Sequence, residues 1–405
     1  MQNAAIVASR LSVAKPSASV AAKAKADALR AEGRQIVDFT VGEPDFPTPP
    51  HIVHAGRQAL LEGHTRYTAS AGILPLRKAI QAKLQRENRL AYELSEIVVG
   101  CGAKHIIFNA FTASLNEGDE VVIPAPYWVS YPEMVRINAG VPRIVDCPAD
   151  VGFKLTPEAL EAAITPRTRW VVLNSPNNPT GAVYSEPELR ALGQVLARHP
   201  HVWVMTDEIY EHFVFDGARH ACLLNTTPEL KSRTLVINGL SKAYAMTGWR
   251  VGYGAAPVAL IQAIALLIGQ STTCATASAQ IAAAVALDGP QGCVQSASEL
   301  FAARRTRMAT RLNAIDGIEC DMPAGAFYVF ASVAGLIGKR TPDGKVLDTD
   351  LDVCNYLIDA AGVVTIDGAS YGLSPYLRFS FATSDKEIDR GIAAIAAAVD
   401  RLKNA

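Results

Sequence analysis

Four apolar runs rich in β-branched residues, Glu120-Val121-Val122-Ile123, Trp170-Val171-Val172-Leu173, Val202-Trp203-Val204-Met205 and Thr234-Leu235-Val236-Ile237, alternate with helical patterns such as Trp128 to Asn138 and Pro187 to Arg198. A strand covered on both faces reads as a continuous apolar run, and a helix between two such strands is what a parallel crossover requires. The chain is therefore expected to be α/β, built on a mostly parallel sheet. Sheets of this kind bind ligands beyond the carboxyl ends of their strands. Two polar clusters fall at those ends, Asn174-Ser175-Pro176-Asn177-Asn178-Pro179-Thr180-Gly181 and Asp207-Glu208-Ile209-Tyr210.

After about residue 290 the pattern changes. A long helical stretch from Ser296 to Ile315 leads to Gly325-Ala326-Phe327-Tyr328-Val329-Phe330 and then to Tyr376-Leu377-Arg378-Phe379-Ser380-Phe381, which reads as a second, smaller α+β domain. The division expected is an N-terminal segment, 1–47, contributing to the small domain, a large ligand-binding domain, 48–290, and a C-terminal small domain, 291–405. A chain of 405 residues suits two or three domains and a large core.

With 38 basic and 39 acidic residues the chain carries no electrostatic footprint for nucleic acid, which excludes that class of partner. Seven cysteines form no Cys-x-x-Cys pair and their odd number leaves one unpaired, so a reducing cytoplasm is the simplest compartment. The first twenty-five residues hold no secretory apolar region, and the run Ala393 to Val399 is too short to cross a bilayer. Beside the pairs His51/His54 and His199/His201 no Cys or carboxylate stands at ligand spacing, so no metal is expected.

The stretch from Asn238 to Tyr253 holds one lysine and one arginine, Lys242 and Arg250, among small, apolar and hydroxyl side chains. An amine surrounded by apolar groups loses solvation, its ammonium is disfavoured, and it becomes a nucleophile able to form a Schiff base with a carbonyl. Three further elements suit the same chemistry. Val98-Val99-Gly100-Cys101-Gly102-Ala103-Lys104 joins a strand to a helix, where backbone N–H groups cradle a phosphate; a tight structural turn uses the same spacing. Asp207, at a strand end, is placed either to cap a helix or to pair with a buried cationic ring nitrogen, and Tyr210 either packs in the core or offers its phenol to the same ligand. Arg378, on a strand-like alternation, presents its fork to a carboxylate, from substrate or from the protein.

In this order the motifs Val41-Gly42-Glu43-Pro44-Asp45-Phe46, Tyr127-Trp128-Val129-Ser130-Tyr131-Pro132, Ser175 to Gly181, Asp207 to Tyr210, Ser241-Lys242 with Arg250, and Arg378 resemble those of the fold type I, pyridoxal-phosphate-dependent class I/II aminotransferases, nearest to the bacterial aspartate and prephenate subgroup. The resemblance implies a large domain around a mostly parallel seven-stranded sheet and a homodimer with shared active sites. It implies a cofactor, pyridoxal 5′-phosphate, and amino-acid and 2-oxo-acid substrates exchanged by a ping-pong reaction.

Carried over residue by residue, the resemblance gives Lys242 the Schiff base and the proton transfer, Asp207 the pyridine nitrogen, and Tyr210 with Asn178 the phenolate oxygen. Trp128 stacks on the ring; Ser241, Arg250 and the backbone of Gly102, Ala103 and Lys104 hold the phosphate. Tyr67 reaches the phosphate of the neighbouring subunit. Arg378 clamps the substrate α-carboxylate under the backbone of Gly42, and Lys104 and Lys15 are the lysines linked to the second carboxylate and to prephenate. Gln270-Ser271-Thr272-Thr273 offers no arginine for a side-chain carboxylate. Where relatives carry Pro-Gly and then Phe-Gly, Ile366-Asp367-Gly368-Ala369-Ser370-Tyr371-Gly372 stands, and Asp367 would repel a dicarboxylate if it faced the site. Aromatic or neutral donors, β-eliminating C–S lysis and a non-enzymatic sensing role are the competing readings.

Overall fold

The strands in chain order are β1 (Val37–Asp38), β2 (Ile97–Gly100), β3 (Glu120–Ala125), β4 (Val141–Asp146), β5 (Thr168–Asn174), β6 (Trp203–Asp207), β7 (Thr234–Gly239), β8 (Gly252–Ala255), β9 (Tyr328–Ser332), β10 (Val363–Val364), β11 (Ile366–Asp367) and β12 (Tyr376–Ser380). They come from a computed structural model that describes residues 6–12 and 18–404. Seven strands form one sheet in the order β2-β8-β7-β6-β5-β3-β4. All neighbours run parallel except β8, which is antiparallel to both β2 and β7.

The continuous apolar runs divide between the two faces of this sheet. Val98, Val121, Ile123, Trp170, Val172, Met205, Leu235 and Ile237 pack into one layer with the helices Ala103–Ser114 and Val258–Ser271. Val99, Val122, Val171, Leu173, Val204 and Val236 pack into the other, with Ala277–Asp288 against Pro50–Leu61 and Leu74–Lys83. Side chains alternate across a strand, so neither face has room for polar groups and the whole run must be apolar. β4 closes one edge of the sheet with Pro142 and Arg143, a strand with an unpaired outer side where proline's missing N–H is tolerated.

The second core gathers around a three-stranded antiparallel sheet, β11-β12-β9, beneath Gly292–Leu312, Asp350–Ala361 and Asp385–Val399. The last helix shows why it docks: Ile388, Ile392, Ile395 and Val399 line one stripe at helical spacing, and Ser384 caps its start through the N–H of Glu387. Phe301, Phe327 and Phe381 interlock at the centre. Truncating the fully buried Phe301 to alanine would cost about 3–5 kcal/mol. Val37 and Phe39 join this cluster from the N-terminal side, with Val37 and Asp38 pairing in parallel with β10. Among the described residues no helix is long and apolar enough to cross a membrane.

Candidate active site

The carboxyl ends of β5, β6 and β7 carry the side chains that define a cavity of ≈ 360 Å³. Asn174 and Asp207 are register partners at the ends of β5 and β6, and Asn174 ties the turn together by donating to the Asp207 carbonyl at 2.9 Å and accepting from the Asn178 N–H at 2.9 Å. Gly42, Ala103, Lys104, Trp128, Asn178, Asp207, Tyr210, Ser241, Lys242, Arg250 and Arg378 all line it. Gly102 stands immediately behind, at the start of the Ala103–Ser114 helix. Tyr67 is 86 % exposed and does not line the cavity, and Lys15 lies outside the described residues.

The segment between β7 and β8 crosses the cavity and is tied to the N-terminal stretch. Lys242 Nζ donates to the Gly42 carbonyl at 2.6 Å, Thr247 Oγ1 donates to Glu43 at 2.6 Å, and Thr48 Oγ1 donates to the Ala245 carbonyl at 2.7 Å. Burial lowers the Lys242 amine to about 8; Arg250 and Arg378 push the same way, while Glu43 and Asp207 oppose them. Arg250 sits at φ +58°, a left-handed backbone that costs an arginine about 1–2 kcal/mol. Its guanidinium is held by the carbonyls of Thr247 and Cys101 at 2.9 and 3.1 Å. Gly102, at φ +86°, faces it: a Cβ there would meet Arg250 Nη2 at 2.4 Å, so only glycine lets the arginine lie across the helix start. Gly102 gives no side-chain cap, and the first N–H groups of a helix have no partner within it. With Ser241 and Arg250 they form a cradle for an anion.

At the other end of the cavity Asp207 is buried. Burial pushes its carboxyl up to about 6, against a hydrogen bond from Tyr131 Oη at 2.6 Å and one from the Ile209 N–H at 3.3 Å that favour the anion. Trp128 meets the Tyr131 ring edge to face at 5.2 Å, and the Lys104 ammonium lies 4.8 Å above Trp128. Partial burial, and then Arg250, hold Lys104 below its ordinary value. Tyr210 Oη shares a 2.9 Å hydrogen bond with Tyr328 Oη, and burial raises both phenols.

Arg378 extends from β12, between Ile366 and Phe330. It is 3 % exposed; Nη1 donates to Asn178 at 3.0 Å, Nη2 to the Thr40 carbonyl at 2.7 Å, and its guanidinium lies 4.4 Å over the Tyr328 ring. Its Nε has no partner, and no carboxylate of the described residues forms an ion pair with it. A buried cation satisfied by neutral groups alone suits a carboxylate brought from outside.

Asp367 does not line the cavity. Its carboxylate accepts from the N–H and hydroxyl of Ser370 at 2.8 and 2.9 Å, capping the short 3-10 turn Gly368–Tyr371. That turn presents Tyr371, whose ring lies 5.2 Å from the Arg378 guanidinium.

Sequence reasoning passed over Tyr131 and Tyr328, although both stood inside quoted motifs. Tyr131 follows Trp128 by three residues, a same-side spacing in a helical stretch and the one signal available. Thr40 carried none, since its part depends on which segments become neighbours, and Asn174 was marked only as the head of a polar cluster at a strand end.

The sequence matches the family described as aminotransferase class I and II over residues 34–395. It is 52 % identical to the aspartate aminotransferase of Rhizobium meliloti over 379 residues, 94 % of this chain and 92 % of that one. It is 47 % identical to the aspartate/prephenate aminotransferase of Cereibacter sphaeroides, over 97 % of this chain and 98 % of the relative. Among solved structures, the Rhizobium meliloti aspartate aminotransferase superimposes with a TM-score of 0.96 at 51 % identity, covering 98 % of this chain and 99 % of that one. The Thermus thermophilus aspartate aminotransferase with maleate gives 0.91 at 39 %, covering 97 % and 99 %.

Proposed function

Because the chain belongs to the class I and II aminotransferases, we propose that it passes the amino group of aspartate or glutamate to a 2-oxo acid, in two half-reactions at the ≈ 360 Å³ cavity. Prephenate is a further acceptor in this reading, supported by the names of relatives such as the Cereibacter sphaeroides enzyme. The observation that carries it is the buried Arg378 guanidinium, which has no carboxylate partner among the described residues and shares its cavity with the Lys242 amine.

The family uses pyridoxal 5′-phosphate, which when bound supplies an electron sink for charge developing at the substrate Cα. The donor set fits that group. The Ala103 and Lys104 amides, Ser241 and Arg250 would hold its phosphate, Asp207 its ring nitrogen, Tyr210 and Asn178 its ring oxygen, and Trp128 one face of the ring. Lys242 would bind it covalently.

Each side chain then has a task set by its own environment. Arg378 fixes the substrate α-carboxylate by a two-pronged contact, which orients the Cα–H bond toward the cavity. Lys242 Nζ, with its amine lowered to about 8, takes the proton from the substrate Cα and returns one. The Asp207 carboxylate holds a positive charge opposite it, with Tyr131 fixing the carboxylate's orientation. Lys104 meets the second carboxylate of a dicarboxylic substrate. Tyr328 closes the cavity over Arg378 and excludes water from the guanidinium.

A homodimer with shared active sites also belongs to this proposal. Tyr67, together with Leu60 and Leu61, is exposed and does not line the cavity of its own chain, which suits a phenol that serves a second copy.

The test is a half-reaction screen of amino donors on the cofactor-loaded protein, read by loss of the cofactor's visible absorbance. Aspartate and glutamate should react and phenylalanine and alanine lag. Lys242→Ala should abolish the change, and Lys104→Met should narrow the gap between dicarboxylic and neutral donors. Equal rates for all four donors would refute the substrate assignment. Mixing Lys242→Ala chains with Tyr67→Ala chains should recover activity through hybrid dimers with one intact site, and sedimentation should give twice the chain mass.

A further inference from the structure

A second cavity, of ≈ 860 Å³, has Glu87, Glu211, His212, His220 and Cys222 in its walls, none of which has a part in the reaction above. At its side the fold gathers three unlike donors. Glu208 Oε2 stands 2.9 Å from His220 Nε2 and 3.3 Å from Cys222 Sγ, and the three ligand atoms lie within 4.8 Å of one another. Glu208 follows directly on β6, and His220 and Cys222 come from the irregular stretch before the short Leu223–Thr226 helix. Residues two apart on extended chain point the same way, so the His-x-Cys pair approaches the carboxylate together.

We propose that Glu208, His220 and Cys222 form a binding site for one divalent cation of the zinc class, with the cavity supplying its remaining ligand. One nitrogen, one sulfur and one carboxylate oxygen suit zinc, cobalt or ferrous iron, whereas magnesium and calcium need more oxygen donors. In a tetrahedral site, donors about 2.0–2.3 Å from the ion lie roughly 3–4 Å from one another, so these side chains need only small movements to close on one.

The charge balance separates this trio from its neighbour. Glu87, Glu211 and His212 also lie close together, but Lys83 Nζ is bonded to Glu211 and stands 3.6 Å from Glu87, so an ammonium already occupies that centre. The Glu208 carboxylate has hydrogen bonds only from His220 and Cys222 among the described residues. It is 3 % exposed, as is Cys222, and the His220 side chain is 9 % exposed with its Nδ1 lacking a partner. Buried carboxylates are paired with a cation or bind a metal; the ion pair formed by this one is with His220, charged only when that ring is protonated, and no lysine or arginine of the described residues joins it.

The experiment is a titration of the chelator-treated, cofactor-loaded protein with Co²⁺. A thiolate-to-cobalt charge-transfer band and d–d bands should rise together and saturate at about one ion per chain, with Zn²⁺ displacing both. Cys222→Ser should remove the charge-transfer band and weaken Co²⁺ binding by more than about a hundredfold, beyond the loss of an outer contact. Cys101→Ser, which removes a thiol beside the cofactor cavity, should leave binding unaltered. Circular dichroism and cofactor absorbance check that each variant is folded. If Cys222→Ser is not, His220→Gln carries the same comparison through affinity and d–d intensity. Equal uptake by the wild type and the folded variant, or no saturable band, would overturn the proposal and leave the trio a hydrogen-bonded brace.

Discussion

Tyr131 Oη donates a 2.6 Å hydrogen bond to Asp207 Oδ2, and both side chains are closed to solvent. A tyrosine on the Ser130–Ile137 helix thus governs a carboxylate at the end of β6, 76 residues later in the chain. The bond favours the anion while burial opposes it, which leaves the carboxyl near 6.

Above about pH 6 Asp207 is an anion able to hold a cationic ring nitrogen, and below it the group is neutral. Cofactor affinity of the apo-protein is therefore expected to fall as pH drops through about 6. Tyr131→Phe removes a donor that favours the anion, so the midpoint should move upward. With a hydrogen bond to a charged group worth about 1.5–3 kcal/mol, the movement is roughly one to two pH units. Binding titrations across the acid range measure it, and an unmoved midpoint would falsify the role given to Tyr131.

Lys242 should react with an amine-selective reagent at pH values where surface lysines remain protonated. In the apo-protein its labelling should be half-maximal near pH 8, since burial disfavours the ammonium and Arg250 and Arg378 add to the effect. Replacing Arg250 with methionine removes a positive neighbour and should raise that midpoint; Glu43→Gln removes a negative one and should lower it. Peptide mapping of labelled lysines over a pH series decides the matter.

Arg378→Lys keeps the charge and loses the planar fork that bonds Asn178 and Thr40 and lies over Tyr328. Steady-state kinetics should show kcat/KM for the amino donor falling about 10- to 100-fold, the equivalent of one strong charged contact. A variant with wild-type kcat/KM would show that the substrate carboxylate is held elsewhere.

Asp367→Ala should act on stability and leave substrate preference alone. Loss of the cap on Gly368–Tyr371 is expected to cost about 1 kcal/mol in denaturant unfolding. The ratio of aspartate to phenylalanine turnover should stay at the wild-type value, because the carboxylate is engaged by Ser370. A rise in that ratio would show that the charge reaches the cleft after all.

What could be read from the chain depended on how local the cause was. Apolar runs buried on both faces announced β3, β5, β6 and β7, and with them the strand ends where Asn174, Asp207 and Ser241 gather. β8 escaped notice because Gly252-Tyr253-Gly254-Ala255 lacks the branched residues that mark strands; a Cβ on Gly252 would meet the Ala103 nitrogen at 2.2 Å. The long helix was expected over Ser296 to Ile315 and runs over Gly292–Leu312, so both ends lie earlier than expected; no side-chain cap marks its start in the sequence. Asp367 was legible as a charge but not as a cap, since a sequence does not say which way a side chain turns. Tyr131, Tyr328 and the Glu208 trio become meaningful only through contacts between residues far apart in the chain.

The crossing from β7 to the antiparallel β8 limits how this enzyme can change its length. The Leu240–Val251 segment leaves the sheet and re-enters it beside the same strand, with both ends fixed by ladder hydrogen bonds and its middle tied to Gly42, Glu43 and Thr48. Most surface loops absorb an inserted residue for a fraction of a kcal/mol. Here an extra residue between Lys242 and Met246 falls in the part tied to Gly42 and Thr48 and shifts the amine against the guanidinium, whereas the exposed Gly248 has open space around it. Sequence drift and engineering alike must therefore proceed by substitution in that tied part, leaving insertions to Gly248 and to the exposed connections elsewhere.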